Sequence, residues 1–290
     1  MPFVRAVGAA LAHARPLLVV AGIALHLAGL LVTGERWRLV VAALGGRLTL
    51  IRSTLINLAG IFVRNATPTT GLGGDASRIA LLRAEGLGLP QAAAAFVYVR
   101  VAELPAMAAV VLLALPAITA VLARSARGIA VATAVAAVAL AAAWFGRRRL
   151  GEQVAGLRAK SAAVTISRAS FAGAVFYASL AQVETIVRQI AIAAALGLPL
   201  TISQSATVTA RSIAGGLIPT IGSVGAIEGS MVAALMMCGA TADTAVAITV
   251  VERAISYGLS TALGAASLAV IGGRAVLRVA TRNRDAVSTG

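Results

Sequence analysis

The sequence has 290 residues, of which 59% are hydrophobic and only 12% are charged, and its mean hydropathy is +0.93. A soluble domain carries about 25% charged residues, and a soluble core of this size could not bury so much apolar surface, so the composition predicts a membrane protein. The formal net charge is +15. Because the basic residues flank long apolar runs, this charge indicates contact with anionic lipid headgroups and excludes nucleic acid as the partner.

Cysteine and histidine are too sparse to support redox or metal chemistry. Cys238 is the only cysteine, so an internal disulfide is excluded. His13 and His26 lie on different segments, and neither has a second ligand nearby in the sequence. The sequence therefore predicts no metal site and no cofactor.

Five stretches are long and apolar enough to cross a bilayer, which takes about 20 apolar residues per helix. In chain order they are Leu17–Thr33, Gln91–Leu115, Gly128–Phe145, Ser170–Leu196 and Thr244–Gly272. The predicted fold is an all-α polytopic membrane protein, with a single membrane domain over residues 1–290.

Two further regions, about 50–86 and 201–239, are apolar but interrupted by proline and clustered glycine, which break a helix. Broken backbone at membrane depth is tolerated only inside protein or beside a wet cavity. Each region is therefore predicted to be a re-entrant hairpin of two half-helices. The predicted hairpin-breaking residues are Pro68, Gly71, Gly73 and Gly74 in the first and Pro219, Gly222 and Gly225 in the second.

The two interrupted regions match each other in sequence. Pro68 and Pro219 are 151 positions apart, and after a two-residue insertion Asp75 matches Glu228 and Arg100 matches Arg253 at an offset of 153. The match predicts an internal repeat, over about 34–121 and 185–273. Three crossings separate the hairpins, so one hairpin would enter from each side, as in the inverted repeats that many secondary transporters use for alternating access.

The distribution of basic residues predicts the orientation. With both hairpins returning to their own side, 16 of the 25 Lys and Arg residues fall on one side and 4 on the other. The positive-inside rule makes the richer side cytoplasmic. It places the basic loop 146–168 and the polar tail 274–290 in the cytoplasm and the N-terminus outside, in an inner or plasma membrane.

Several motifs carry a family resemblance. The first half contains Glu35-Arg36-Trp37-Arg38, then Pro68-x-x-Gly71-x-Gly73-Gly74-Asp75-x-x-Arg78, then Arg100-x-x-Glu103. The second half contains Pro219-x-x-Gly222-x-x-Gly225-x-x-Glu228, then Glu252-Arg253. Over about residues 30–273 the chain resembles the lysylphosphatidylglycerol synthase transmembrane-region family of flippase-like integral membrane proteins. The resemblance implies a lipid-translocating domain. In the namesake enzymes a soluble aminoacyl transferase follows this domain, and we expect none here because only about 17 polar residues follow Gly273.

Charged residues within the apolar stretches are the candidate substrate-binding residues, because each charge costs roughly 2.5–3.5 kcal/mol at membrane depth. They are Arg64, Asp75, Arg78, Arg100, Glu103, Arg211, Glu228, Glu252 and Arg253. Arginine suits bidentate contact with a lipid phosphate. The alternatives stay open: self-neutralising pairs, helix-capping acids at Asp75 and Glu228, and snorkelling arginines.

Three other residues are predicted to have structural roles. Glu184 and Arg188 are four residues apart and are predicted to form an intramembrane ion pair. Trp37 is predicted to be an interfacial anchor.

Three functions fit these observations. The first is translocation of an anionic lipid or a polyprenyl-phosphate-linked substrate. The second is a non-transporting membrane subunit that supports a separately encoded transferase. The third is a membrane lipid-linked transferase, which the sequence disfavours because it has no nucleophile–base pair, no aspartate-rich metal motif and no Cys/His cluster. The sequence therefore predicts a transporter and not an enzyme.

Overall fold

The computed structural model describes residues 8, 12, 14–67, 72–122, 165–215 and 225–272. Within these residues the fold is all-helical, with eight helices and no strand. The helices are α1 (Pro16–Ala43), α2 (Leu50–Ala66), α3 (Leu72–Ala84), α4 (Leu89–Leu122), α5 (Arg168–Ala195), α6 (Ile202–Gly215), α7 (Ala226–Met237) and α8 (Ala242–Gly272). Helix α8 passes through a π-helical segment, Ala254–Leu259.

Four of these helices are long and apolar enough to cross a membrane: α1, α4, α5 and α8. They contain four of the five predicted crossings, which confirms a multi-pass membrane protein. The fifth predicted crossing, Gly128–Phe145, lies outside the described residues, as do most of the basic loop and the polar tail.

The remaining helices are short and form two pairs, α2 with α3 and α6 with α7. They have 12 to 17 residues, which at about 1.5 Å per residue is shorter than the ~30 Å hydrocarbon core. Helices α2 and α3 run antiparallel, because Arg52 pairs with Glu85 while Asn57 contacts Arg78. In the second pair, Gly215 at the end of α6 lies against Ala226 at the start of α7.

Two different structural requirements explain the glycines in these helix pairs. Gly225 immediately precedes α7 and has a φ of +87°, a left-handed conformation that favours glycine. Gly73 and Gly74, which were predicted to break the hairpin, lie in the first turn of α3. A Cβ on Gly74 would lie 2.4 Å from the Gly60 carbonyl oxygen, so this glycine permits close packing of α2 and α3. Pro68, Gly71, Pro219 and Gly222 lie outside the described residues.

The two halves correspond in detail. Helices α1 and α5 begin and end 152 positions apart. The Ser53 hydroxyl donates to the Gly34 carbonyl at 2.7 Å, and the Ser205 hydroxyl donates to the Ile186 carbonyl at 3.0 Å. Both members of the second bond are 152 positions beyond those of the first.

The corresponding helices α1 and α5 run antiparallel against each other. The Arg15 backbone N–H donates to the Ala195 carbonyl at 2.9 Å, Gly29 lies against Glu184, and Leu39 lies against Gly173. Residues later in α1 therefore contact residues earlier in α5.

Each half also packs its last helix on the short pair of the other half. On α4, Pro116 lies inside the helix, and the next backbone N–H, that of Ala117, donates to the Ser203 hydroxyl of α6 at 2.9 Å. A neighbouring helix that satisfies backbone groups in this way is what makes proline tolerable in a membrane helix. On α8, a Cβ at Gly264 would lie 2.4 Å from the Leu58 carbonyl oxygen of α2. The two halves therefore interlock.

Candidate functional site

Asp75 is the centre of the charged network in the first half. It lies in the first turn of α3, where the helix dipole stabilises a negative charge. Its carboxylate accepts from Arg78 at 2.8 Å, and its two oxygens accept from Arg100 of α4 at 2.9 and 3.0 Å. Arg78 is 4% exposed and also donates to the Asn57 side-chain and backbone oxygens, at 3.2 and 3.3 Å. This network ties α2, α3 and α4 together.

Glu103 extends the network to α1. It accepts from Arg100 at 3.0 Å, as the sequence spacing predicts, and from Arg36 at 2.7 Å. Arg36 is 6% exposed. Arg36 and Arg78 were both counted among the 16 basic residues of the predicted cytoplasmic side, and both side chains are buried within the protein.

Trp37 is not an interfacial anchor, so that prediction is wrong. It is 4% exposed and belongs to the apolar core of the first half. The Arg78 guanidinium carbon lies 5.9 Å from the centre of its ring, within cation–π range. The ring therefore forms an inner wall beside the charged network.

Arg64 is the one arginine of this network without a carboxylate partner among the described residues. It lies on α2, half-buried, where the charges of Asp75, Arg100 and Glu103 act on it, and so does that of Arg253 from the other half. We call the group Arg36, Arg64, Asp75, Arg78, Arg100 and Glu103 the first charge cluster. With four arginines and two acids, this described group has a surplus of two positive charges.

The second half repeats the central pair of the first. Arg253 donates to Glu228 across 25 positions of sequence, the same separation as between Asp75 and Arg100. Both residues of this pair are 153 positions beyond their counterparts. Glu228 also accepts a hydrogen bond from the Gly225 backbone N–H at 2.6 Å. The Arg253 guanidinium lies over the Tyr257 ring at 4.7 Å.

A second ionic group lies where α5, α8 and α1 meet. Arg188 donates to Glu184 at 2.7 Å, which is the predicted intramembrane pair, and also to Glu252 of α8. Arg188 lies 152 positions after Arg36, so each half has an arginine on its first helix bound to an acid on its last. We call Glu184, Arg188, Glu228, Glu252 and Arg253 the second charge cluster. With three acids and two arginines, this described group has a surplus of one negative charge.

Arg211 does not join either cluster. It is exposed on α6, and its charge acts on Cys238 at the end of α7. Nearby, Gln204, Thr207 and Cys238 help to line a cavity of about 480 Å³ between α4, α6 and α7. Of the nine residues predicted to bind substrate, the structure therefore brings eight into the two clusters.

Sequence reasoning missed three residues that the clusters depend on: Arg36, Asn57 and His26. The 152-position match between Arg36 and Arg188 was available as a signal for the first. No local signal marks Asn57, or the His26 ring, which hydrogen-bonds the Ser260 hydroxyl at 2.8 Å across α1 and α8. Such partners are set by helix packing.

Comparison with protein-family models gives a match over most of the chain. The family described as lysylphosphatidylglycerol synthase TM region matches residues 3–264 of the chain. No curated protein matches the sequence.

Proposed function

Because the chain belongs to the lysylphosphatidylglycerol synthase TM region family, we propose that it moves an anionic lipid, or a polyprenyl-phosphate-linked substrate, across the membrane. The mechanism would be alternating access between two inverted repeats, each with a re-entrant hairpin. The observation that carries this proposal is Arg64, an arginine without a carboxylate partner among the described residues, on which charges of both matched acid–arginine pairs act.

The antiparallel packing of α1 on α5 supports the inverted arrangement. These helices correspond at a constant offset, so a two-fold axis in the membrane plane would relate them. Under this arrangement the short pairs α2/α3 and α6/α7 approach from opposite sides. Each helix of these pairs is too short to cross the membrane, as expected of a hairpin that returns to its own side.

The charge of the first cluster supports an anionic substrate. An arginine without a counter-ion is expensive in an apolar interior, and a phosphate would supply the missing negative charge through charge-assisted hydrogen bonds. The carboxylates of Asp75 and Glu103 already occupy Arg100. They would compete with the phosphate for this arginine and so keep binding weak enough for release.

The matched pairs Asp75–Arg100 and Glu228–Arg253 suit the two gates of such a cycle. Each joins the first turn of a short helix to the long helix that follows it. A phosphate that displaces the acid from one arginine would loosen that connection and leave the other intact. Alternating access needs one gate open while the other is closed.

The test replaces Arg64 with glutamine. Because Arg64 has no ionic partner among the described residues, Arg64→Gln strands no buried charge and is expected to fold at least as well as the native protein. Loss of one charge-assisted contact, about 1.5–3 kcal/mol, should slow movement of a fluorescent anionic lipid in proteoliposomes by roughly tenfold to a hundredfold.

Arg83→Gln is the matched control, because Arg83 is an exposed arginine on the adjacent helix α3. It should move lipid at the native rate. A native rate in folded Arg64→Gln would refute the anion site. The purified chain alone should move labelled lipid without changing it chemically; a requirement for an added transferase, or a modified lipid product, would favour the subunit or the transferase function.

A further inference from the structure

We propose that Glu252 is a proton-binding site, which shares Arg188 with Glu184 and, given the proposed transport function, couples lipid movement to a proton gradient. The first part concerns a site on this chain and stands on its own geometry. The coupling rests on the proposed function.

The first observation is the charge of the group. Glu184 and Glu252 bind the same guanidinium, so two carboxylates share one positive charge. In the apolar interior an uncompensated charge is strongly disfavoured, and two carboxylates at one site do not both ionise readily. One proton bound to either carboxylate neutralises the surplus negative charge of this group.

The second observation identifies the oxygen that would take the proton. Glu252 is 4% exposed, and its Oε1 accepts from Arg188, but its Oε2 is buried without a hydrogen-bond partner in the described structure. Glu184 is more exposed, and its second oxygen contacts the Thr185 hydroxyl at 3.4 Å. An ionised oxygen without a donor is the less stable of the two, so the proton belongs on Oε2 of Glu252.

The charged and titratable groups around Glu252 leave this assignment intact. From α5 they are Arg188 and Glu184, and on α8 itself Arg253, which is bound to Glu228 of α7. From α1, His26 faces Arg188. On α2, Arg64 is near enough to Arg253 for their positive charges to repel each other, and it contacts no carboxylate among the described residues. Every arginine close to Glu252 in this part of the structure, other than Arg188, is thus occupied or directed elsewhere.

Protonation at Glu252 would change the packing of the helices. The Arg188–Glu252 contact joins α5 to α8 immediately before the π-helical segment Ala254–Leu259. Short π-helical segments are frequent at functional sites. A neutral Glu252 would release Arg188 to Glu184 alone and so weaken the connection between the two helices. The first half has no such switch, because Val99 occupies the position 153 residues before Glu252.

The direct test measures the carboxylic acid. Infrared titration of the purified full chain in detergent, from about pH 9 to about pH 5, should show the carbonyl stretch of a protonated carboxyl group growing as the pH falls. Glu252→Gln should abolish this change, and Glu35→Gln, at the surface pair with Arg38, should leave it. Glu184→Gln leaves one acid for one arginine, so the change should move to lower pH.

The coupling test uses proteoliposomes with a fluorescent anionic lipid. One coupled proton predicts that a gradient of one pH unit shifts the lipid distribution by up to about tenfold, and that Glu252→Gln removes this response. Unchanged titration in Glu252→Gln would overturn the site. A pH response of lipid movement that His26→Gln abolishes and Glu252→Gln keeps, or lipid movement driven by a sodium gradient and not by pH, would overturn the coupling through Glu252. If Glu252 titrates as expected but no lipid moves under any gradient, the transport function fails and the proton site stands.

Discussion

Replacing Gly74 with alanine tests the tight packing of α2 on α3. The change in the free energy of unfolding combines the cost of overpacking with the gain in helix propensity, and a control variant separates the two. The added Cβ would lie 2.4 Å from the Gly60 carbonyl oxygen and 2.6 Å from the Arg64 Cβ, and an ordinary contact starts near 3.4 Å. Helix α3 must therefore retreat by about 1 Å, because the oxygen belongs to the backbone and cannot turn away. That retreat would break the long hydrogen bonds from Arg78 to Asn57.

The magnitude follows from two opposing contributions. Overpacking costs about 1–3 kcal/mol, while alanine in place of glycine stabilises a helix interior by about 1 kcal/mol. Gly229→Ala is the matched control, because Gly229 lies on α7 with nothing within 4 Å of the added Cβ. The control should gain about 1 kcal/mol, and Gly74→Ala should fall about 1–3 kcal/mol below it.

The measurement is the free energy of unfolding in mixed micelles with increasing SDS, followed by far-ultraviolet circular dichroism. The comparison uses the difference between the two alanine variants and so cancels the shared gain in helix propensity. Equal stability of Gly74→Ala and Gly229→Ala would refute the close packing of α2 and α3 at this position.

Two further predictions concern the charged network and the orientation. Arg100→Gln combined with Glu103→Gln should lower the free energy of unfolding by about 3–5 kcal/mol, because Arg36 loses its carboxylate; adding Arg36→Gln should restore most of the loss, and a double variant as stable as the native protein would rule out the Arg36–Glu103 pair. In a background without the native cysteine, Gly156→Cys should react with an impermeant maleimide only from the cytoplasmic side and Pro199→Cys only from outside, and labelling of position 156 from outside would reverse the topology.

The hydropathy of the sequence predicted the crossings well, because an apolar run of sufficient length has few alternatives to a membrane helix. It underestimated their extent at the C-terminal end of α1, which continues from the predicted Thr33 to Ala43. The reason is that Arg36 within this stretch is satisfied by Glu103, 67 positions away. Hydropathy includes the cost of a charged residue in an apolar stretch, but it carries no information about a distant residue that neutralises the charge.

The candidate site was predictable where the repeat carried the signal and not elsewhere. The pairs Asp75–Arg100 and Glu228–Arg253 were matched residue by residue from the sequence. Trp37 was misplaced because tryptophan at the end of an apolar run is most often interfacial. Trp37 is buried in an apolar core and lies beside Arg78 of α3, and local composition does not reveal these contacts between helices.

The two charge clusters, counted over the described residues, carry opposite surplus charge, and under the proposed mechanism this difference decides what each cluster binds. The backbone correspondence is close, since the bonds Ser53–Gly34 and Ser205–Ile186 repeat it. The charges diverge at a few positions, of which Glu252 against Val99 is one. A phosphate at the positive cluster and a proton at the negative cluster would each reduce the uncompensated charge of the interior. Because reorganising the helices is least costly when no buried charge lacks a counter-charge, the doubly loaded protein should change its conformation fastest, and a protein carrying either load alone should change more slowly.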